Sequence, residues 1–80
     1  MKLGDHEYKF TRGSDVNRDG MFVEAEAVSP GVRRVVAEIF YSDSDGKFSL
    51  SCFEENVPLE VIDYLIAEGR RWLPPRKLEQ

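Results

Sequence analysis

The sequence has little of what disulfide-stabilised, membrane-bound and histidine-dependent proteins require. It contains one cysteine and one histidine in 80 residues, so an internal disulfide is impossible and most histidine-based catalysis is excluded. No apolar run approaches the roughly 18 residues of a membrane-spanning helix. The N-terminal segment MKLGDHEYKF is charged where a signal peptide is apolar. We therefore expect a cytoplasmic protein that has no contact with a membrane.

Positive charge is also scarce. Eleven Lys and Arg stand against 15 Asp and Glu, which gives a net charge of −4, and neither half of the chain is basic. Because proteins that bind nucleic acid normally carry a basic surface, we expect no nucleic-acid partner. The chain also lacks a glycine-rich phosphate loop, a CxxC pair and an HExxH motif. These absences favour a non-enzymatic protein that needs no cofactor.

Turn signals divide most of the chain into short strands. Asp19-Gly20, Pro30-Gly31 and Asp45-Gly46 each stand shortly before a run of alternating apolar and polar residues. These runs predict four strands, over residues 6–12, 21–29, 33–42 and 47–53. Apolar residues at 3-4 spacing then predict a helix over 58–73. The prediction is an α+β domain over 1–73, a four-stranded antiparallel meander with one C-terminal helix on one face (ββββα), followed by a tail over 74–80.

The alternation also predicts which residues face each other in the sheet. A three-residue loop over 30–32 would place Val23 opposite Ile39, Ala25 opposite Ala37 and Ala27 opposite Val35. A two-residue turn at Asp45-Gly46 would place Ile39 opposite Cys52 and Tyr41 opposite Leu50. Both registers bring apolar side chains to one face.

The helix and this inner face are expected to form the core together. The inner-face residues are Tyr8, Phe10, Val23, Ala25, Ala37, Ile39, Phe48, Leu50 and Cys52. The apolar helix stripe consists of Pro58, Val61, Ile62, Leu65, Ile66, Gly69, Trp72 and Leu73. Asn56 or Val57 is the expected cap position, and Pro74-Pro75 is expected to end the helix.

The opposite, outer face is too apolar for a simple solvated surface. Phe22 is expected opposite Phe40, and Glu24 opposite Glu38, which sets two like charges against each other. An aromatic pair is typical of an interface core, and the glutamates beside it could contact a basic partner. The predicted interface set is Phe22, Glu24, Glu26, Val36, Glu38, Phe40 and Phe53. A second copy of the chain could cover this face, with its Arg34 meeting the glutamates.

A calcium loop is the best motif match in the sequence. Asp15, Asn17, Asp19, Gly20 and Glu26 fit D-x-[DN]-x-[DN]-G-x5-E, and this segment resembles an EF-hand loop. An EF-hand needs a flanking helix on each side, whereas both flanks alternate as strands. We therefore expect a polar turn here and no metal site.

Two further groups have a structural and a functional interpretation. Cys52 and His6 would have to meet to form a nucleophilic pair, and we favour a buried structural thiol at Cys52. A basic cluster around Trp72 could contact an anion or RNA, but its members also complement the helix dipole, which we favour. Its members are Arg70, Arg71, Arg76 and Lys77.

Taken as a whole, the chain resembles the small uncharacterised proteins carried on bacterial mobile elements such as integron gene cassettes. Those proteins are likewise short, acidic, single-domain and without diagnostic motifs. The resemblance implies a bacterial, cytoplasmic protein of unassigned role. We expect a non-enzymatic interaction protein that forms a dimer through the exposed sheet face or a sheet edge.

Two alternatives remain open at this point. One is an immunity or antitoxin-like inhibitor of a basic toxin, acting through Glu24, Glu26 and Glu38. The other is a small-ligand-binding dimer or minor enzyme with a cavity between two protomers. That cavity would be lined by Tyr8, Phe22, Phe40 or Trp72.

Overall fold

A computed structural model describes residues 1–73 and shows an α+β arrangement, as predicted. The elements, in chain order, are β1 (Lys2–Leu3), β2 (His6–Asp15), β3 (Gly20–Ser29), β4 (Val32–Ser42), β5 (Phe48–Cys52) and α1 (Leu59–Trp72). The strands form one antiparallel sheet in the order β1-β2-β3-β4-β5. The sheet has one strand more than predicted. The additional strand is β1, whose two residues are too few to show an alternating pattern. The tail over 74–80, with Pro74-Pro75, lies outside the described residues.

The β3–β4 pairing follows the predicted register in one half and departs from it in the other. Val23 lies opposite Ile39 and Ala25 opposite Ala37, as expected, but Ala27 lies opposite Arg34 rather than Val35. The connection is a two-residue Pro30-Gly31 turn, in which Gly31 has a φ of +75°. Next to Ala25, a bulge adds one unpaired residue, Val36, to β4. This extra residue restores the expected register from Ala25 back to Val23.

The β4–β5 register is shifted by two residues from the prediction. Ile39 lies opposite Leu50, and Tyr41 opposite Phe48. The turn is longer than Asp45-Gly46 alone, because the Ser42 N–H donates to the Lys47 carbonyl and the Gly46 N–H to the Ser42 carbonyl. An even shift leaves every side chain on its predicted face, so the error changes partners but not faces.

The core lies between α1 and the middle of the inner face. Val61 and Leu65 of the helix are 0% exposed, as are Ala25 and Ala37 beneath them. Gly69 allows a close approach, because an added Cβ would come within 2.8 Å of Ile39 Cγ2. Pro58, rather than Asn56 or Val57, occupies the N-cap position, without a side-chain cap. Glu60 in the first turn and Arg70 and Arg71 in the last complement the helix dipole.

The helix does not reach the last strand. α1 packs on β2, β3 and β4, and every residue of β5 is exposed. Cys52 is therefore an exposed thiol rather than a buried one, and Phe48 and Leu50 are 38% and 44% exposed. A single helix is about 10 Å wide, roughly two strand spacings, so it cannot cover the whole sheet. No helix within residues 1–73 has the length and apolar character needed to cross a membrane.

Candidate functional site

The outer face contains the two predicted cross-strand pairs. Phe22 lies opposite Phe40, and Glu24 lies opposite Glu38. Glu38 is the buried charged residue of the described core, at 7% exposure. A buried carboxylate next to a second carboxylate needs a cation, because burial and like charge both disfavour the ionised form.

Arg18, from the loop between β2 and β3, supplies that cation. Its Nη1 and Nη2 donate to the two carboxylate oxygens of Glu38 at 3.0 and 2.8 Å, and its Nε donates to Asp15 at 2.6 Å. Its guanidinium carbon also lies 4.2 Å from the centre of the Phe40 ring. The bond from Arg18 is the main reason that the pKa of Asp15 lies below its usual range. The same ion pairs raise the pKa of Arg18, so the guanidinium stays charged. Sequence analysis missed Arg18 because loop residues carry no face assignment.

Two glycines accommodate the outer aromatic rings. A Cβ at Gly13 would come within 2.8 Å of the Phe22 ring, and one at Gly20 would overlap the Phe40 ring and the Tyr41 carbonyl. Each phenylalanine therefore packs against the bare backbone of the neighbouring strand. These contacts and Arg18 cover part of the outer apolar surface within one chain. The sequence analysis expected a partner to cover this surface.

Glu24 is the outer-face carboxylate with a raised pKa. Partial burial is the main cause, and the charges of Glu38 and Glu26 add to it. Glu26 lies opposite Lys9 on β2. Arg34, expected to meet these glutamates from a second copy, instead forms an ion pair with Glu54 beyond β5, and this pair lowers the pKa of Glu54.

One member of the predicted interface set, Val36, does not lie on this face. Val36 is the bulged residue of β4; it is 2% exposed and belongs to the core cluster. Its assignment to the outer face is wrong, because a bulge breaks strict alternation. Phe53 follows β5 and is 57% exposed, and its N–H donates to the Val36 carbonyl at 2.8 Å. The outer apolar patch is therefore smaller than predicted.

A different apolar surface is open on the inner side of the sheet. Between α1 and β5 lies a groove of about 160 Å³, lined by Ile39, Phe48, Ser49, Leu50, Ile66 and Arg70. Phe48 packs against Tyr41 with ring centres 5.0 Å apart and ring planes tilted by 55°, and Phe48 also lines the groove. This groove exists because α1 covers β2, β3 and β4 and stops short of β5.

The residues of the calcium-loop match lie in a hairpin. The Asp15 carboxylate accepts the N–H groups of Asn17 and Arg18, which closes a turn. Glu26 lies on β3, about 20 Å along the strand from Gly20. Within residues 1–73, no three His, Cys, Asp or Glu side chains are grouped to hold a metal ion.

Cys52 and His6 lie on different strands. His6 begins β2 and Cys52 ends β5, with β3 and β4 between them. At the usual strand spacing this separation is about 14 Å.

Trp72 lies outside the core and not in the predicted apolar stripe. It is 40% exposed, and its Nε1 donates to Glu68. The guanidinium groups of Arg12 and Arg71 lie 3.9 and 5.0 Å from its ring centre. Arg76 and Lys77 of the predicted basic cluster lie outside the described residues.

The aromatic residues proposed to line a ligand cavity do not converge. Tyr8 is buried in the core, and Trp72 lies at the end of α1. Phe22 and Phe40 lie on the outer face, on the other side of the sheet. They do not line one cavity within a single chain, and a cavity between two protomers stays a prediction.

No protein-family model matches the chain, and no curated protein or solved structure is significantly similar to it.

Proposed function

We propose that this acidic chain is a non-enzymatic interaction protein that self-associates through its β5 edge. The observation that carries the proposal is the exposure of the whole of β5, including Phe48 and Leu50, next to an apolar groove. Association through this surface would remove apolar area from water, which is the main driving force of most protein association.

The contrast with the outer face supports the edge as the site. On the outer face Phe22 and Phe40 pack against glycines of the same chain, and Arg18 covers Phe40 and pairs with Glu38. A partner at that face would have to displace or accommodate these contacts. A partner at β5 would displace none, because no element within residues 1–73 pairs with its free side.

The acidic outer face supports a second candidate function, an immunity or antitoxin-like inhibitor of a basic protein. Glu24 is partly buried beside Glu38 and Glu26, and its pKa is raised as a result. A lysine or arginine from a basic partner would relieve this repulsion. Because Arg18 already neutralises Glu38, we place this candidate second.

The test compares two leucines that are both exposed. Leu50→Arg introduces a charge into the β5 surface, whereas Leu59→Arg introduces the same charge at a helix position that is 71% exposed. We expect the wild-type chain and Leu59→Arg to sediment as dimers, and Leu50→Arg to sediment as a folded monomer. Equal masses for the two variants would contradict a role for β5. A dimer that persists in Leu50→Arg and dissociates in Glu24→Arg would instead place the interface on the outer face.

A further inference from the structure

The free side of β5 carries backbone groups that can pair with another strand. The Lys47 carbonyl accepts from Ser42, and the Phe53 N–H donates to Val36, so odd-numbered residues of this segment bond to β4. In an antiparallel ladder the intervening residues point the other way. Phe48, Leu50 and Cys52 therefore direct their N–H and C=O groups away from the sheet.

This edge lacks the features by which proteins normally prevent strand addition. Such edges are commonly short, charged, interrupted by proline or bulged. The opposite edge has two of these features: β1 is short, with only Lys2–Leu3, and β2 beyond it is charged at Lys9 and Arg12. By contrast, β5 is a regular strand of five residues without charge or proline.

The sequence of β5 is complementary to itself. It reads apolar-Ser-apolar-Ser-apolar in both directions, with Phe48, Leu50 and Cys52 on the inner face. Residues directly opposite each other in antiparallel strands share a face, so this pattern matches a reversed copy. Pairing centred on Leu50 sets Phe48 of one copy opposite Cys52 of the other and aligns the whole strand.

Charge also favours a second copy of this chain as the occupant. The chain has a net charge of −4, which opposes self-association wherever acidic surfaces meet. The segment from Phe48 to Cys52 is uncharged. Reversed pairing further brings Lys47, just before the strand, close to Glu54, just after the strand of the other copy.

Resting on the proposed self-association, we propose that β5 pairs antiparallel with β5 of a second copy about a two-fold axis at Leu50. The two five-stranded sheets then form one continuous sheet. Both helices lie on the same side of it, because Leu50 remains on the inner face in each copy. The inner-face side chains of the second β5 extend the apolar floor beside Ile66 and close the open side of the groove.

Disulfide trapping tests this register. Ser49 and Ser51 lie on the outer face and bond to β4, so across the new interface they form non-hydrogen-bonded pairs, whose side chains approach most closely. In the proposed register, Ser49 of one copy faces Ser51 of the other. We therefore prepare Ser49→Cys and Ser51→Cys, each in a Cys52→Ser background. Circular dichroism verifies that each variant is folded.

When the two variants are mixed and equilibrated, we expect mild oxidation to cross-link the mixed dimers, which contain one copy of each variant. Each variant oxidised alone should stay mostly free of cross-links. Cross-linking of Ser49→Cys alone or Ser51→Cys alone would overturn the Leu50 axis, because it places the two-fold axis at residue 49 or 51. A dimer by sedimentation that cross-links in none of these samples would overturn β5 pairing while leaving self-association intact. A monomeric wild-type chain would overturn the proposed function itself.

Discussion

Truncation of Leu65 to alanine should remove a large part of the stability of this chain. Leu65 is 0% exposed and is among the largest fully buried side chains. Burying a leucine side chain is worth about 1.5–3 kcal/mol, and the cavity left behind brings the usual cost of a core Leu→Ala change to about 3–5 kcal/mol. A domain of this size has a free energy of unfolding of about 4–12 kcal/mol. The variant should therefore be marginally folded.

Urea unfolding followed by far-UV circular dichroism measures this loss. With a slope of about 1–1.5 kcal/mol per molar urea, we expect the midpoint to fall by roughly 2 M or more. Both proteins are compared at the same concentration, since association stabilises the folded state. Leu59→Ala is the matched control, because Leu59 lies on the same helix but is 71% exposed. Its free energy of unfolding should therefore change by no more than about 0.5 kcal/mol. Equal midpoints for the two variants would refute the packing of α1 on the sheet.

Two further predictions concern the outer face. Because burial and the neighbouring Glu38 raise the pKa of Glu24 above its ordinary 4.5, its charge destabilises the fold above the raised pKa, and this penalty disappears as the pH falls. Glu24→Gln should therefore stabilise the chain at pH 7 by at most about 1 kcal/mol, and the gain should vanish in acid; a pH-independent effect in urea titrations would contradict this. Gly20→Ala should lower the free energy of unfolding by about 1–3 kcal/mol, and by more than Gly13→Ala does. The added Cβ meets the Tyr41 backbone at Gly20 but only a phenylalanine ring at Gly13. Equal thermal midpoints for the two variants would contradict the close packing at Gly20.

Alternation and helical spacing were enough to predict the order of the main elements and most of the inner face. Val23, Ala25, Ala37 and Ile39 are buried as expected, and Leu65 lies in the core. These signals are local and repeat along the chain, so a small error at an end does not remove them.

The sequence could not reveal the features that depend on a single inserted residue or on a loop. The bulge at Val36 moves one side chain from the outer face to the core without any local signal. The turn after β4 proved longer than its Asp45-Gly46 signal. Arg18 reaches Glu38 across 20 positions of sequence, a contact that only the folded hairpin creates.

The exposure of β5 is the most consequential difference from the sequence-based expectation. Alternation correctly predicts that Phe48, Leu50 and Cys52 share a face with the core. It does not indicate where along the sheet the helix lies, and α1 stops at β4. The candidate interface therefore moves from the outer face to an edge strand that the sequence assigned to the core.

Self-association through β5 can be measured by sedimentation equilibrium of the wild-type chain beside Leu50→Pro. Proline removes an N–H that points away from β4, so an edge strand tolerates it, but pairing with a second copy loses its central hydrogen bonds. At about 100 µM we expect the wild-type chain to have the mass of a dimer and Leu50→Pro that of a folded monomer. A wild-type chain that stays monomeric at this concentration, or a Leu50→Pro dimer as stable as the wild type, would contradict pairing through β5.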